Sequence, residues 1–204
     1  MMDLQTLLAV TGFALVTSIT PGPNNMMLLA SGVNHGFKAT LPHVVGISSG
    51  LMLLFLAAGL GLGALLAQWP QLYLALKASG LAYMVWLAWQ LWRAGAPQAE
   101  GGAAVQAAPS LMGFWGAAAF QWVNPKAWLI AIGAVAGFLR PDAGGWELLA
   151  LALVCALVNM PCVGLWAWAG ARLSRVLADP ARRRYFNTAT ALLLLASIWP
   201  MLNV

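Results

Sequence analysis

Six long apolar stretches follow one another along the chain, at about 4–33, 41–67, 71–92, 111–139, 146–171 and 185–202. Short polar segments, such as a predicted turn at 31–40, separate them. Each stretch is close to or above the roughly 20 residues that a helix needs to cross the hydrocarbon core of a bilayer. They lack the alternation of polar and apolar positions that is typical of membrane β-strands. The pattern predicts an all-α integral membrane protein with six transmembrane helices, which we number spans one to six.

Composition supports this class of protein. Of the 204 residues, 62% are hydrophobic and 7% are charged, whereas soluble domains carry about 25% charged residues. Six spans use nearly the whole length, so we predict a single transmembrane domain over 1–204. The net charge of +5 does not indicate a nucleic-acid partner, because five of the ten basic residues lie between spans five and six. That is where a topology signal belongs.

Proline motifs interrupt span one and span four. The first motif is Thr20-Pro21-Gly22-Pro23-Asn24-Asn25, and the second is Gln121-Trp122-Val123-Asn124-Pro125-Lys126. Proline has no N–H to bond the carbonyl four residues earlier. The carbonyls that lose this partner are those of Thr17, Ile19 and Gln121. Such breaks are tolerated at membrane depth where the freed groups line a polar cavity, so we predict broken helices around a cavity at the bilayer midplane.

The two broken spans begin two similar halves of the chain. Residues 94–110 are rich in Gly, Ala and Pro without periodicity, which predicts a flexible linker. The linker separates repeat one, about 1–93, from repeat two, about 111–204. Three spans is an odd number, so two such repeats in tandem have opposite orientations. The sequence therefore predicts an inverted-topology repeat, the organisation of many secondary transporters.

Loop charges predict the orientation in the membrane. Lys38, Arg93, Arg172, Arg175 and 182–184 all fall on one face, and Arg140 falls on the other. Positively charged loops remain in the cytoplasm. We therefore expect both termini outside the cytoplasm.

Lys126 is a basic residue that lies far from both predicted membrane surfaces. It lies about 13 residues from either end of span four, which is roughly 20 Å along a helix and too far for its side chain to reach the surface. We interpret Lys126 as facing an aqueous or substrate cavity. The alternative is a structural lysine bonded to the freed carbonyls. Lys77, near the outer end of span three, is expected to extend to the surface instead.

The two breaks offer partners for both charged groups of an amino acid. The helix that restarts after Pro23 presents N–H groups and the positive end of its dipole to a carboxylate, and the freed carbonyls can accept an ammonium. The asparagines can alternatively cap the half-helices, and Tyr83 can reach the cavity or pack in the core. The predicted substrate-binding residues are Thr20, Pro21, Gly22, Pro23, Asn24, Asn25, Tyr83, Gln121, Asn124, Pro125 and Lys126.

The sequence offers fewer candidate residues for a metal site, a cofactor or thiol–disulfide chemistry. The five acidic residues fall in loops or at span ends, and His35 and His43 have no carboxylate or cysteine at ligand spacing, so we predict no metal site and no cofactor. Cys155 and Cys162 are about 10 Å apart along one predicted helix and cannot bridge each other. We therefore expect no enzyme of the thiol–disulfide class. Asn159-Met160-Pro161 is predicted to kink span five.

These motifs resemble the LysE/RhtB family of bacterial amino-acid exporters. The matching residues are 20–23, Gly36, Gly46 with Gly50, Gly80 with Tyr83, and 124–127. The resemblance implies an inner-membrane secondary transporter that exports amino acids or related metabolites from the cytoplasm, coupled to protons and assembled as a homodimer. A divalent metal-ion exporter of the same broad superfamily is the alternative.

Leu51 departs from the pattern of this family. Members often carry an acidic residue directly after the second glycine of the span-two motif, and leucine occupies that position here. The group that would carry a coupled proton is therefore left open.

The orientation is open to a direct test. A small tag fused to the C-terminus should be labelled in intact cells after the outer membrane is made permeable, because both termini are expected outside the cytoplasm. The control is the same tag inserted between Arg172 and Arg175, which should be labelled only after the inner membrane is opened. A C-terminal tag reached only from the cytoplasm would contradict the predicted topology.

Overall fold

The computed structural model describes residues 2–93, 112–140 and 142–199, and its regular elements there are helices. The predicted linker at 94–110 lies outside the described residues. The α-helices are α1 Leu4–Ile19, α2 Pro23–His35, α3 Phe37–Ala57, α4 Gly63–Gln68, α5 Pro70–Arg93, α6 Phe114–Val123, α7 Pro125–Phe138, α8 Gly145–Leu173 and α9 Pro180–Ala196. A π-helical turn, Ala58–Leu62, joins α3 to α4, and a 3-10 turn, Val176–Ala178, precedes α9.

Within the described residues, three continuous segments are long and apolar enough to cross a membrane. They are Phe37–Leu66, Pro70–Arg93 and Gly145–Leu173. The pair α1 and α2, bent by 57°, makes a fourth if it counts as one span, and α7 is a shorter apolar helix. The all-helical membrane class is thus present, while the count of six spans stays a prediction.

Both predicted interruptions are present. α1 ends at Ile19 and α2 begins at Pro23, while α6 ends at Val123 and α7 begins at Pro125. In each case proline occupies the first turn of the new helix, where its missing N–H has no helical partner to lose.

The predicted turn at 31–40 is wrong, because Gly36 alone separates α2 from α3. Its φ of +81° is a left-handed conformation that glycine adopts without a Cβ penalty. One residue therefore redirects the chain, and the flanking polar residues remain helical.

Span six is predicted from about Tyr185, and the helix that corresponds to it, α9, begins five residues earlier, at Pro180. Asp179 caps α9 by accepting a hydrogen bond from the Arg182 backbone N–H at 2.9 Å, and Pro180 begins the helix. The three arginines at 182–184 therefore lie on the helix and not in the turn before it.

Glycines let the helices approach to backbone contact. A Cβ on Gly32 would overlap the Ala167 carbonyl, and one on Gly170 would overlap the Leu29 carbonyl, so α2 and α8 touch along their backbones. Gly46 and Gly50 lie in the same way against the carbonyls of α6. The four-residue glycine spacing thus packs helices within one chain, and α3 and α8 form the scaffold for the broken helices.

This packing predicts the effect of a single methyl group. Gly32→Ala should lower the free energy of unfolding by about 1–3 kcal/mol, because the backbones of α2 and α8 would have to separate. Gly164→Ala is the control, since a Cβ there meets no atom within 4 Å and the change should stay within about 1 kcal/mol. Unfolding in detergent, followed by tryptophan fluorescence, measures both. Equal losses would contradict the close contact.

Candidate functional site

A cavity lies between the two interruptions, with walls from α1, α2, α3, α6, α7 and α8. The empty space within it is about 510 Å³, including the part that opens to the outside. Seven of the predicted binding residues line it: Gly22, Pro23, Asn24, Asn25, Gln121, Asn124 and Lys126. Phe13, Leu51 and Phe55 supply apolar wall.

Asn25 holds the bend between α1 and α2. Its side chain is 3% exposed, and its amide donates to the carbonyls of Ser18 at 3.0 Å and Thr20 at 2.9 Å. These carbonyls belong to the end of α1, where helical partners run out. Asn25 therefore stabilises the interruption itself.

A reciprocal amide pair connects the two interruptions. Asn24 Nδ2 donates to Gln121 Oε1 at 2.9 Å, and Gln121 Nε2 donates back to Asn24 Oδ1 at 3.2 Å. The second N–H of Gln121 bonds the Ala117 carbonyl at 2.9 Å. Gln121 is fully buried, so this pair fixes the position of α2 relative to α6.

Asn124 caps α7, as the alternative interpretation of the asparagines expects. Its side-chain oxygen accepts a hydrogen bond from the Lys126 backbone N–H at 3.1 Å. Its own backbone N–H donates to the Gln121 carbonyl at 3.3 Å. The carbonyl predicted to accept an ammonium thus already has one backbone donor, because the chain closes a tight turn there, and its second lone pair remains.

Lys126 extends from the second position of α7 to the break in span one. Its Nζ donates to the carbonyls of Thr20 at 3.0 Å and Pro21 at 3.4 Å. Gly22 makes room, since a Cβ there would lie 2.8 Å from this Nζ. Lys126 is half-buried and is the one charged residue among those lining the cavity. Both interpretations of this lysine hold at once: it faces a cavity and it bonds backbone carbonyls.

Three buried polar residues missed by the sequence reasoning form a chain of hydrogen bonds across α3, α8 and α1. Ser48 Oγ donates to Asn159 Oδ1 at 3.0 Å, and Asn159 Nδ2 donates to Ser18 Oγ at 3.0 Å. Ser18 and Asn159 line the cavity. The available signal was an asparagine inside an apolar span, which requires a buried partner. α8 continues through the neighbouring Pro161 as one helix.

The remaining predicted site residues lie around the cavity. Tyr83 is not among the lining residues, and its ring packs 5.5 Å from that of Phe120 and 5.3 Å from that of Trp86, centroid to centroid. Thr20 and Pro21 contribute their carbonyls, which hold Lys126. Pro125 is buried at the start of α7.

Apolar helices, two interruptions and a polar central cavity define a membrane transporter, and comparisons with known proteins agree. Residues 15–196 match the family described as LysE type translocator. The chain is 33% identical to the cysteine/O-acetylserine efflux protein of Escherichia coli O139:H28 (strain E24377A / ETEC), over 90% of each chain. It is 34% identical to the protein of that name from Escherichia coli strain K12, over 89% of this chain and 90% of the relative. No solved structure matches the chain significantly.

The chain belongs to the LysE translocator family. It is thus a multi-pass membrane transporter and not an enzyme, and these relatives support amino-acid export as its activity.

The amide pair predicts a double-mutant cycle. Asn24→Leu should destabilise the protein by about 1–3 kcal/mol, because it removes both hydrogen bonds that the buried Gln121 amide makes to α2. The double variant Asn24→Leu/Gln121→Leu should lose less than the sum of the single changes, with a coupling of about 0.5–3 kcal/mol. Unfolding in detergent measures each variant. Gln121→Leu combined with Ser79→Ala, an exposed serine that bonds its own helix, should instead be additive. Additivity in both pairs would contradict the bond across the two breaks.

Proposed function

We propose that the protein exports cysteine, O-acetylserine or closely related amino acids from the cytoplasm, and that it holds them at the midplane between the two helix breaks. The names of its relatives support this class of substrate. The cavity walls combine hydrogen-bonding side chains with apolar surface, as small-molecule sites usually do.

The position of Lys126 carries this proposal. Its ammonium is the one charge among the lining residues, so an entering carboxylate pairs with it there. The positive end of the α7 dipole, where Lys126 lies, also favours an anion. A carboxylate that draws the Lys126 ammonium away exposes the carbonyls of Thr20 and Pro21. The substrate ammonium then donates hydrogen bonds to these carbonyls. In the bound state the substrate carboxylate thus pairs with Lys126, and the substrate ammonium replaces Lys126 at the two carbonyls.

The substrate side chain is directed towards the opposite wall. Thr17, Ser18 and Asn159 offer hydroxyl and amide groups, while Phe13 and Phe55 offer apolar surface. A thiol or an acetyl ester matches this mixture better than a long charged side chain does. No acidic residue is among those lining the cavity, which disfavours lysine and arginine as substrates.

We further propose six spans arranged as two inverted repeats in the bacterial inner membrane, with both termini outside, proton coupling and a homodimer. The packing supports the repeat: the broken helices α1 and α2 pack on α8, and α6 packs on α3. Each broken segment thus rests on the long second helix of the opposite half, as two interlocked repeats require.

Lys126→Ala should reduce amino-acid exchange at least tenfold, since a hydrogen bond to a charged group contributes about 1.5–3 kcal/mol and about 1.4 kcal/mol is tenfold. Counterflow in proteoliposomes measures this, with labelled cysteine, O-acetylserine, other amino acids and divalent metals as the panel. Lys77→Ala is the matched control, because Lys77 is not among the residues that line the cavity.

Unaltered exchange by a folded Lys126→Ala variant would contradict the role of this lysine. Exchange of divalent metals in place of amino acids would favour the metal-exporter alternative. Normal yield and a single peak in size-exclusion chromatography establish that each variant is folded.

A further inference from the structure

A second cavity, with an empty volume of about 450 Å³, lies beside the end of α2, the start of α3 and the end of α5. Its polar lining residues are Ser31, Asn34, His35, His43 and Gln90. It shares no lining residue with the first cavity. Because it adjoins the junction of α2 and α3, it lies toward the face with the basic loops.

His43 is the unusual member of this lining. Its side chain is 2% exposed, and within the described part of the chain neither ring nitrogen has a hydrogen-bond partner. A buried polar group without a partner costs about 1–3 kcal/mol. The neighbouring hydroxyls do not offset this, because Thr40 bonds the Gly36 carbonyl and the Ser31 hydroxyl. An imidazole retained under these conditions calls for a functional explanation.

The surroundings of His43 hold few other titratable groups. His35 of α2 lines the same cavity. On α3 itself Lys38 is exposed, and on α5 and α8 the guanidinium groups of Arg93 and Arg172 lie over Trp89 and Trp168. α6 carries no titratable side chain. The first cavity is lined by Lys126 of α7 and by Cys155, one of the two thiols of α8. The second thiol of α8, Cys162, is buried.

A transporter that exchanges substrate for protons needs a group that binds and releases a proton near neutral pH. Imidazole is the side chain whose ordinary pKa, about 6.5, lies in that range. The family's acidic position is Leu51 here, and none of the described carboxylates is buried. His43 precedes Leu51 by eight residues on α3, about 12 Å of helical rise. α2 likewise begins at the first cavity and ends at the second.

We propose that His43 is the proton-carrying group of this exporter, and that the second cavity is the route by which it exchanges protons with the cytoplasm. This inference rests on the proposed proton-coupled export. A ring nitrogen takes a proton from hydronium on the outer side of the membrane, which leaves water, and later returns the proton to cytoplasmic water in the second cavity.

The environment of the ring explains how proton binding is coupled to the conformational change of the transporter. Neutral imidazole tolerates the closed surroundings that Leu87, Leu91 and Met112 help to form. Imidazolium is charged and needs water or acceptors around it. Protonation therefore favours the state in which the second cavity is open to the cytoplasm. In that state the proton is released, and substrate binds beside Lys126 in the first cavity, which α2 and α3 also line.

Proteoliposomes containing the full chain test this inference with labelled cysteine in two assays. The first assay is counterflow at equal pH, which requires no net proton movement. In the second assay the lumen is one pH unit more acidic than the outside, and exchange of one proton for one cysteine then drives up to about tenfold accumulation of labelled cysteine in the lumen. The wild type should show both activities. His43→Gln should keep counterflow and lose the accumulation, while Lys126→Ala should lose both and Lys77→Ala should keep both.

Gradient-driven accumulation that persists in His43→Gln would overturn the role of His43 and leave the export proposal intact. Absence of counterflow in the wild type would overturn the proposed function, and with it this inference.

A second measurement applies if His43→Gln does not fold. The chain has two histidines, so nitrogen NMR of the histidine-labelled wild type, assigned with His35→Gln, follows each ring separately. The His43 ring should take up a proton as the pH is lowered from about 8 to about 4. A ring that stays in one state over this range would overturn the proposal.

Discussion

The Lys126 ammonium donates hydrogen bonds to the carbonyls of Thr20 and Pro21 and so joins the two backbone interruptions, one in each half of the chain. The carbonyls at the first break have lost their helical partners, and the second half of the chain supplies a donor for them. Lys126 reaches from α7 to the first break, and the pair of Asn24 with Gln121 makes a second connection. The polarity that stabilises the breaks is the same polarity that lines the cavity.

This arrangement depends on rigid support from the long helices. α3 and α8 contact the broken helices at glycine positions, where backbones meet without intervening side chains. The buried chain of Ser48, Asn159 and Ser18 adds hydrogen bonds between α3, α8 and α1 next to the cavity. A movement of either long helix therefore changes the geometry of the residues that line the cavity. Since α2 and α3 also border the second cavity, proton binding at His43 and substrate binding at Lys126 would act on shared elements.

Sequence reasoning located the chemistry better than it located the helix ends. The breaks at Pro23 and Pro125, the cavity position of Lys126 and the membrane class all followed from local properties. The turn at 31–40 and the start of α9 did not, because Gly36 and Asp179 redirect or begin a helix within one residue while polar side chains continue the helix. Polarity is a weak signal for a helix end when one capping residue satisfies the backbone.

The sequence by itself determined the features whose causes lie within one helical turn or within composition: long apolar segments, prolines without an N–H, and a lysine in the middle of an apolar stretch. The tertiary structure alone decided which carbonyls Lys126 bonds, that Asn159 connects two serines, and that Tyr83 packs beside Phe120 outside the cavity. These contacts join positions separated by 106, 141 and 111 residues for Lys126–Thr20, Asn159–Ser18 and Ser48–Asn159. A partner at such a separation is chosen by the packing of whole helices, which no local pattern encodes.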